Sequence, residues 1–199
     1  MSYEITPFQK RFLEAALPDV PFDGWTPELL NRTADRLKVS ATELEIAFPR
    51  GARDLVRCLF IWVTGETLEK LKPKDMAALR VRERIALGVR TRLEVLAPHK
   101  EAMRSALAFM ARPPHSFSMP RLVWHTADKL WWAAGDTATD YNHYTKRLLL
   151  SGVISATTLY WLNDSSPHHA QTWEFLDRRI DNVLKIGMKL GKLKQKKTA

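Results

Sequence analysis

Apolar positions recur every three to four residues along nearly the whole chain, and no run of alternating apolar and polar residues marks a strand. Ile5, Phe8, Phe12 and Ala16 predict a first helix that Pro18 and Pro21 end. Thr26 is an N-cap with Pro27 at the first helical position, and Leu29, Leu30, Ala34 and Leu37 form that helix's inner face. Ser40 and Glu43 form an S-x-x-E capping box for a second short helix, which Pro49 and Gly51 stop. Two short capped helices joined by a brief turn predict a helix-turn-helix.

The pattern continues over 52–71 with Leu55, Leu59, Val63 and Leu68 inward, and Pro73 breaks it. Residues 75–97 predict a long Arg-rich helix on which Leu79, Ala86 and Leu93 repeat at seven, as do Val89 and Leu96, before Pro98. A helix over 99–111 follows, then a loop at Pro113 and Pro114, then helical patterns over 119–134, 139–162 and 168–194. The predicted fold is all-α. Its expected parts are a helix-turn-helix-like segment (1–50), a helical bundle (51–167) and a C-terminal amphipathic helix (168–199).

Hydrophobic residues make up 45% of the 199, enough for a sizeable core, and five of the seven Trp lie between positions 124 and 173. The single Cys58 excludes an intrachain disulfide framework and fits a reducing compartment. No stretch approaches the ~20 apolar residues needed to span a bilayer, and no signal or transit pattern precedes the first helix. The expectation is a bacterial, cytoplasmic chain held peripherally at the inner membrane; a processed organelle protein would look similar.

Charge sharpens the membrane part. Of the net +9, residues 182–199 hold six Lys and no acid, so only +3 remains for the rest. Lys185, Lys189, Lys192 and Lys196 form one stripe of the last helix, and Val183, Ile186, Leu190 and Leu193 fall on another face. That is the pattern of an interfacial helix. Leu184 and Met188 blur it, and Gly187 and Gly191 each weaken helicity by ~1 kcal/mol. The competing reading is a solvated terminus.

Catalytic motifs are missing. The sequence holds no CxxC, HExxH, GxSxG or phosphate-binding Gly-rich loop, and no paired Glu-x-x-His of a di-iron site. His168 and His169 are adjacent and cannot share a helix face. His125 and Asp128 are spaced for a surface hydrogen bond, and Asp140 for an N-cap. No enzyme activity, metal or cofactor is expected.

The first half resembles the TetR family of regulators, through the Phe12–Ala16 helix, Gly24, Thr26, the LKVS turn and Phe48. Such proteins read DNA with the second short helix, here ATELEIA, which carries Glu43 and Glu45 and no Lys or Arg. Two carboxylates oppose phosphate contact, and Arg50 and Arg53 lie past the helix. A ligand-responsive regulator is therefore the second reading, with nucleic acid not expected as a partner.

The second half is more specific. LWWAAGDTATDYNHYTKRLLLSGV, TTLYWLNDSSP and TWEFLDRRIDNV, with GWTPELL and FPRGARDLV earlier, resemble the coenzyme Q biosynthesis protein nine family along nearly the whole chain. The resemblance implies a TetR-like, dimeric protein without DNA binding. It implies that the protein holds isoprenoid or phospholipid and presents a ubiquinone precursor to the di-iron demethoxyubiquinone hydroxylase, performing no chemistry itself.

Leu150, Val153, Thr157, Tyr160 and Trp161 share a broad face of the 139–162 helix. With Phe109, Trp124 and Ala127 they would wall an apolar cavity, or else simply fill a core; the resemblance favours the cavity. It also implies that Leu130, Trp131, His143, Tyr144 and Arg147 form a surface that meets the hydroxylase, aromatic and Arg side chains being typical of interface hot spots. His143 departs from the aromatic often found there in the family.

Overall fold

The structure, a computed structural model, describes residues 3–113, 115–136 and 141–198, with side chains for all of these except 116, 141, 142 and 186–198. Among them there are α-helices and short 3-10 turns and no strand. The helices are α1 (Pro7–Ala16), α2 (Val20–Asp23), α3 (Pro27–Leu37), α4 (Ala41–Ala47), α5 (Ala52–Leu71), α6 (Val81–Leu96), α7 (Lys100–Ala111), α8 (Met119–Ala133), α9 (Tyr141–Asn163) and α10 (Ala170–Thr198).

The first compact unit comprises residues 1–66 and 95–122. Its helices start on caps that satisfy the free backbone N–H groups of a first turn. Thr26 Oγ1 accepts from Leu29 N at 3.2 Å, and Ser40 and Glu43 form the reciprocal box. A second capping box, Thr6 with Gln9, starts α1; T-x-x-Q was a signal available in the sequence. Phe12 and Phe48 rings pack 4.9 Å apart, and Trp25 Nε1 donates to Ala102 O.

The second unit comprises residues 67–94 and 123–199. Ile85 and Val89 of α6, Ala127 and Leu130 of α8, Leu150, Val153 and Ile154 of α9, and Leu176 and Ile180 of α10 form one buried cluster. Gly88 lets α8 come close: a Cβ there would lie 3.2 Å from a Leu130 methyl. The chain passes between units within α5, α6 and α8, so these boundaries differ from the division at residues 50 and 167 drawn from motifs.

Two expected helices start later. α6 begins at Val81 rather than 75, because the Asp75 carboxylate accepts from Ala77 N and Ala78 N and turns the chain first. α10 begins at Ala170 because His168 and His169 hold left-handed backbone, φ 52 and 55. Asp164 then anchors the turn. Its carboxylate accepts from Ser166 N at 2.8 Å, Thr172 N at 3.0 Å and Thr172 Oγ1 at 2.5 Å. Desolvation would raise its pKa, but these hydrogen bonds prevail and hold it well below the usual carboxylate range.

Candidate ligand and partner surfaces

The AGD and YTKR elements of the sequence meet through charge. Arg147, with only 1% of its side chain exposed, donates from Nε to Asp128 Oδ1 at 2.6 Å and from Nη1 to Asp136 Oδ2 at 3.1 Å. Lys146 Nζ reaches Asp136 Oδ1 at 2.6 Å and lies 5.5 Å from the Trp131 ring centroid. Trp131 Nε1 donates to Lys146 O, fastening α8 to α9. Desolvation works to raise the Asp136 pKa; the hydrogen bonds and charges of Lys146 and Arg147 outweigh it and leave the carboxyl below its ordinary value. Asp140, expected to cap α9, lies outside the described residues.

This geometry corrects the expected contact surface. Arg147 and Leu130 are buried and cannot meet a partner on the surface of this unit; Arg147 is the central charge of an internal cluster, and Leu130 packs in the core. Tyr144 is 63% exposed, with His143 and Trp124 rings 5.2 and 6.3 Å away. The sequence reading missed Trp132 and Leu148, 66% and 65% exposed. The signal was present: adjacent Trp131 and Trp132 on a helix cannot both face inward.

The expected lipid wall is only partly assembled. Ala127, Leu150, Val153, Thr157 and Trp161 are buried, and the first three pack within the core cluster. Tyr160 turns toward α10, stacking on Phe175 at 4.4 Å with its hydroxyl toward Gln171. Trp124 is half-buried beside Tyr144. Phe109 belongs to the first unit, where it stacks on His115 at 4.3 Å. Of the membrane set, Lys185 is exposed; α10 continues to Thr198, but the side chains of Ile186, Lys189, Leu190, Lys192, Leu193 and Lys196 lie outside the described residues. No described helix is long and apolar enough to cross a membrane.

In the first unit, an apolar groove between α3 and α4 is lined by Leu30, Ala34, Val39, Leu44 and Phe48, with Asp35 and Glu45 at its edge. α4 buries none of its residues. Glu43 is committed to its cap, and hydrogen bonds from Ser40 lower its carboxyl pKa. Arg50 pairs with Asp54 at 3.0 Å and Arg53 bonds Ser118 Oγ, so both are engaged within the unit. Burial pushes the Cys58 thiol up to about 12, which leaves it protonated and unreactive at neutral pH. Among the described residues no three His, Cys, Asp or Glu side chains group as metal ligands.

Comparison with known proteins follows the same segments. Residues 117–187, which contain α8, α9 and the charge cluster, match the COQ9 family. The ubiquinone biosynthesis protein COQ9, mitochondrial, of Drosophila melanogaster is 31% identical over 191 residues, spanning 94% of this chain. The chain resembles the COQ9 proteins along nearly its whole length. COQ9 of Rattus norvegicus is 32% identical over 187 residues and that of Homo sapiens 31% over 185, each spanning 90% of this chain. The chain spans 58 to 59% of the length of these COQ9 proteins. The TetR transcriptional regulator of Nitrosomonas europaea ATCC 19718 superposes with a TM-score of 0.71 over 90% of this chain and 99% of its own, at 20% identity. The fold is TetR-like and all-α. One expectation is overturned: these COQ9 proteins are mitochondrial proteins of eukaryotes, against the bacterial cytoplasm and inner membrane read from the sequence.

Proposed function

We propose that this chain is a non-catalytic, lipid-binding accessory protein of ubiquinone biosynthesis, which presents a ubiquinone precursor to the demethoxyubiquinone hydroxylase at a membrane surface. The observation that carries the reading is the set of exposed large apolar side chains, Trp132 on α8 and Tyr144 and Leu148 one turn apart on α9, within the COQ9-matching segment. The Arg147 cluster fastens the helices that carry them. Large aromatic side chains held on rigid, braced helices are the type of group that dominates interfaces. The names of the relatives supply the pathway, and the TetR-like fold suits a helical ligand chamber. α9 also exposes Gly152 and Ser155, small residues that would let a second copy approach closely in a homodimer, with the apolar Leu159 beyond them.

These side chains are tested by copurification with the hydroxylase. Trp132→Ala and Tyr144→Ala are expected to lose most of the hydroxylase while shifting stability by no more than ~0.5 kcal/mol, as surface changes do. Undiminished copurification in both variants would contradict the assignment.

A further inference from the structure

α6 faces α10 with two arginines that have partners. Arg82 pairs with Asp181 at 3.0 Å, and Arg90 lies 4.7 Å from the Trp173 ring centroid. Arg92 turns the other way. It continues the stripe of Ile85 and Val89, which face the core cluster, and it is 3% exposed. Its Nε and Nη1 have no hydrogen-bond partner. Burial pushes its pKa down to about 10, so it remains charged at neutral pH.

Two hydroxyls share this condition. Thr91 and Thr157, 1% and 0% exposed, have Oγ1 atoms without a partner. Other buried threonines do otherwise: Thr33, Thr64 and Thr158 each donate to the carbonyl four residues back, at 2.7 to 2.8 Å. Thr157 continues the α9 stripe of Leu150 and Val153, which meets the α6 stripe in the same cluster. Arg82 and Arg90 meet residues 181 and 173 of α10, and Tyr160 stacks on residue 175. That register sets Arg92 and Thr157 about two helical turns apart along the bundle, and the long Arg92 side chain, leaning toward the N-terminus of its own helix, closes about one of them.

A buried cation without a counter-ion costs several kcal/mol, and removing it in favour of an apolar group is commonly stabilising. An oxyanion arriving at Arg92 would relieve that cost, and the guanidinium fork matches carboxylate or phosphate. We propose that Arg92, with Thr157, anchors the acidic head of an anionic amphiphile whose tail lies in the core of the second unit. This rests on the lipid-binding reading and adds to it the charge of the ligand's head and the residue that receives it.

The test titrates the full chain, freed of bound lipid, with fluorescent cis-parinaric acid and with its uncharged methyl ester near neutral pH. The acid is expected to bind about tenfold tighter than the ester, in keeping with one charge-assisted contact. Arg92→Met should erase that preference, so that acid and ester bind alike, and Arg92→Lys should retain part of it. Displacement of the acid by lysophosphatidic acid at lower concentration than by oleate marks a phosphate head; the reverse order marks a carboxylate. Equal binding of acid and ester by the unaltered chain, or a preference that survives in Arg92→Met, overturns the anchor and leaves lipid binding standing. Failure of both probes to bind overturns the lipid reading together with the anchor. If Arg92→Met does not fold, the acid-to-ester comparison in the unaltered chain and in Arg92→Lys decides.

Discussion

Arg147 is almost fully enclosed, yet two carboxylates and the His143 carbonyl meet its donors. An Arg directly before three leucines looks like a surface residue, because its partners at Asp128 and Asp136 are 19 and 11 residues away. Only the pairing of α8 with α9 brings them together, and no local periodicity encodes it. Arg147→Met should therefore destabilise the protein by about 3 kcal/mol, at the low end for a broken buried pair because Asp128 is partly exposed. Denaturant unfolding measures this; a loss under about 1 kcal/mol would contradict it. The pH dependence has a defined sign. Asp136 titrates lower when folded, so its stabilisation is complete above the unfolded carboxyl value of about 3.9 and is lost as pH falls through the folded value. Asp136→Asn should cost stability at neutral pH and flatten the acid limb of the stability profile.

At the scale of elements, local signals were readable and competing ones were not. Thr26 and Ser40 cap the helices they were expected to cap, because an N-cap is a short-range arrangement. The start of α6 was misplaced, because the Asp75 side chain competed with helix for the next two backbone N–H groups. α10 divides by its contacts: Leu176 and Ile180 are in the core and Val183 packs against it. The lysine stripe begins just beyond. Each Lys near an anionic leaflet contributes ~1 kcal/mol, so removing 184–199, which spares Val183, should abolish binding to anionic liposomes and leave the unfolding transition in place. Binding by the intact chain should weaken in about 1 M salt, where the Debye length is ~3 Å, without vanishing. Equal liposome binding by intact and truncated chains would return the tail to the solvated-terminus reading.

At the scale of the molecule, the all-α, TetR-like architecture was legible because helical periodicity runs through almost the whole chain. Which exposed side chains face a partner was less so. Tyr144 stood out in its motif, and the Trp131–Trp132 pair signalled that one of the two faces outward, but which one, and that Leu148 is exposed, needed α8 and α9 set against their neighbours. The interior carries the same ambiguity: Ala127, Leu150 and Val153 suit either the wall of a chamber or a packed core, and in this structure they pack. The central claim is that this interior receives a lipid, and mass spectrometry of organic extracts from the purified full chain addresses it most directly. The account predicts an isoprenoid or phospholipid in near-stoichiometric amount, reduced by Thr157→Trp, which adds bulk to the buried α9 stripe. Extracts free of lipid, from a chain that is folded and intact, would contradict it.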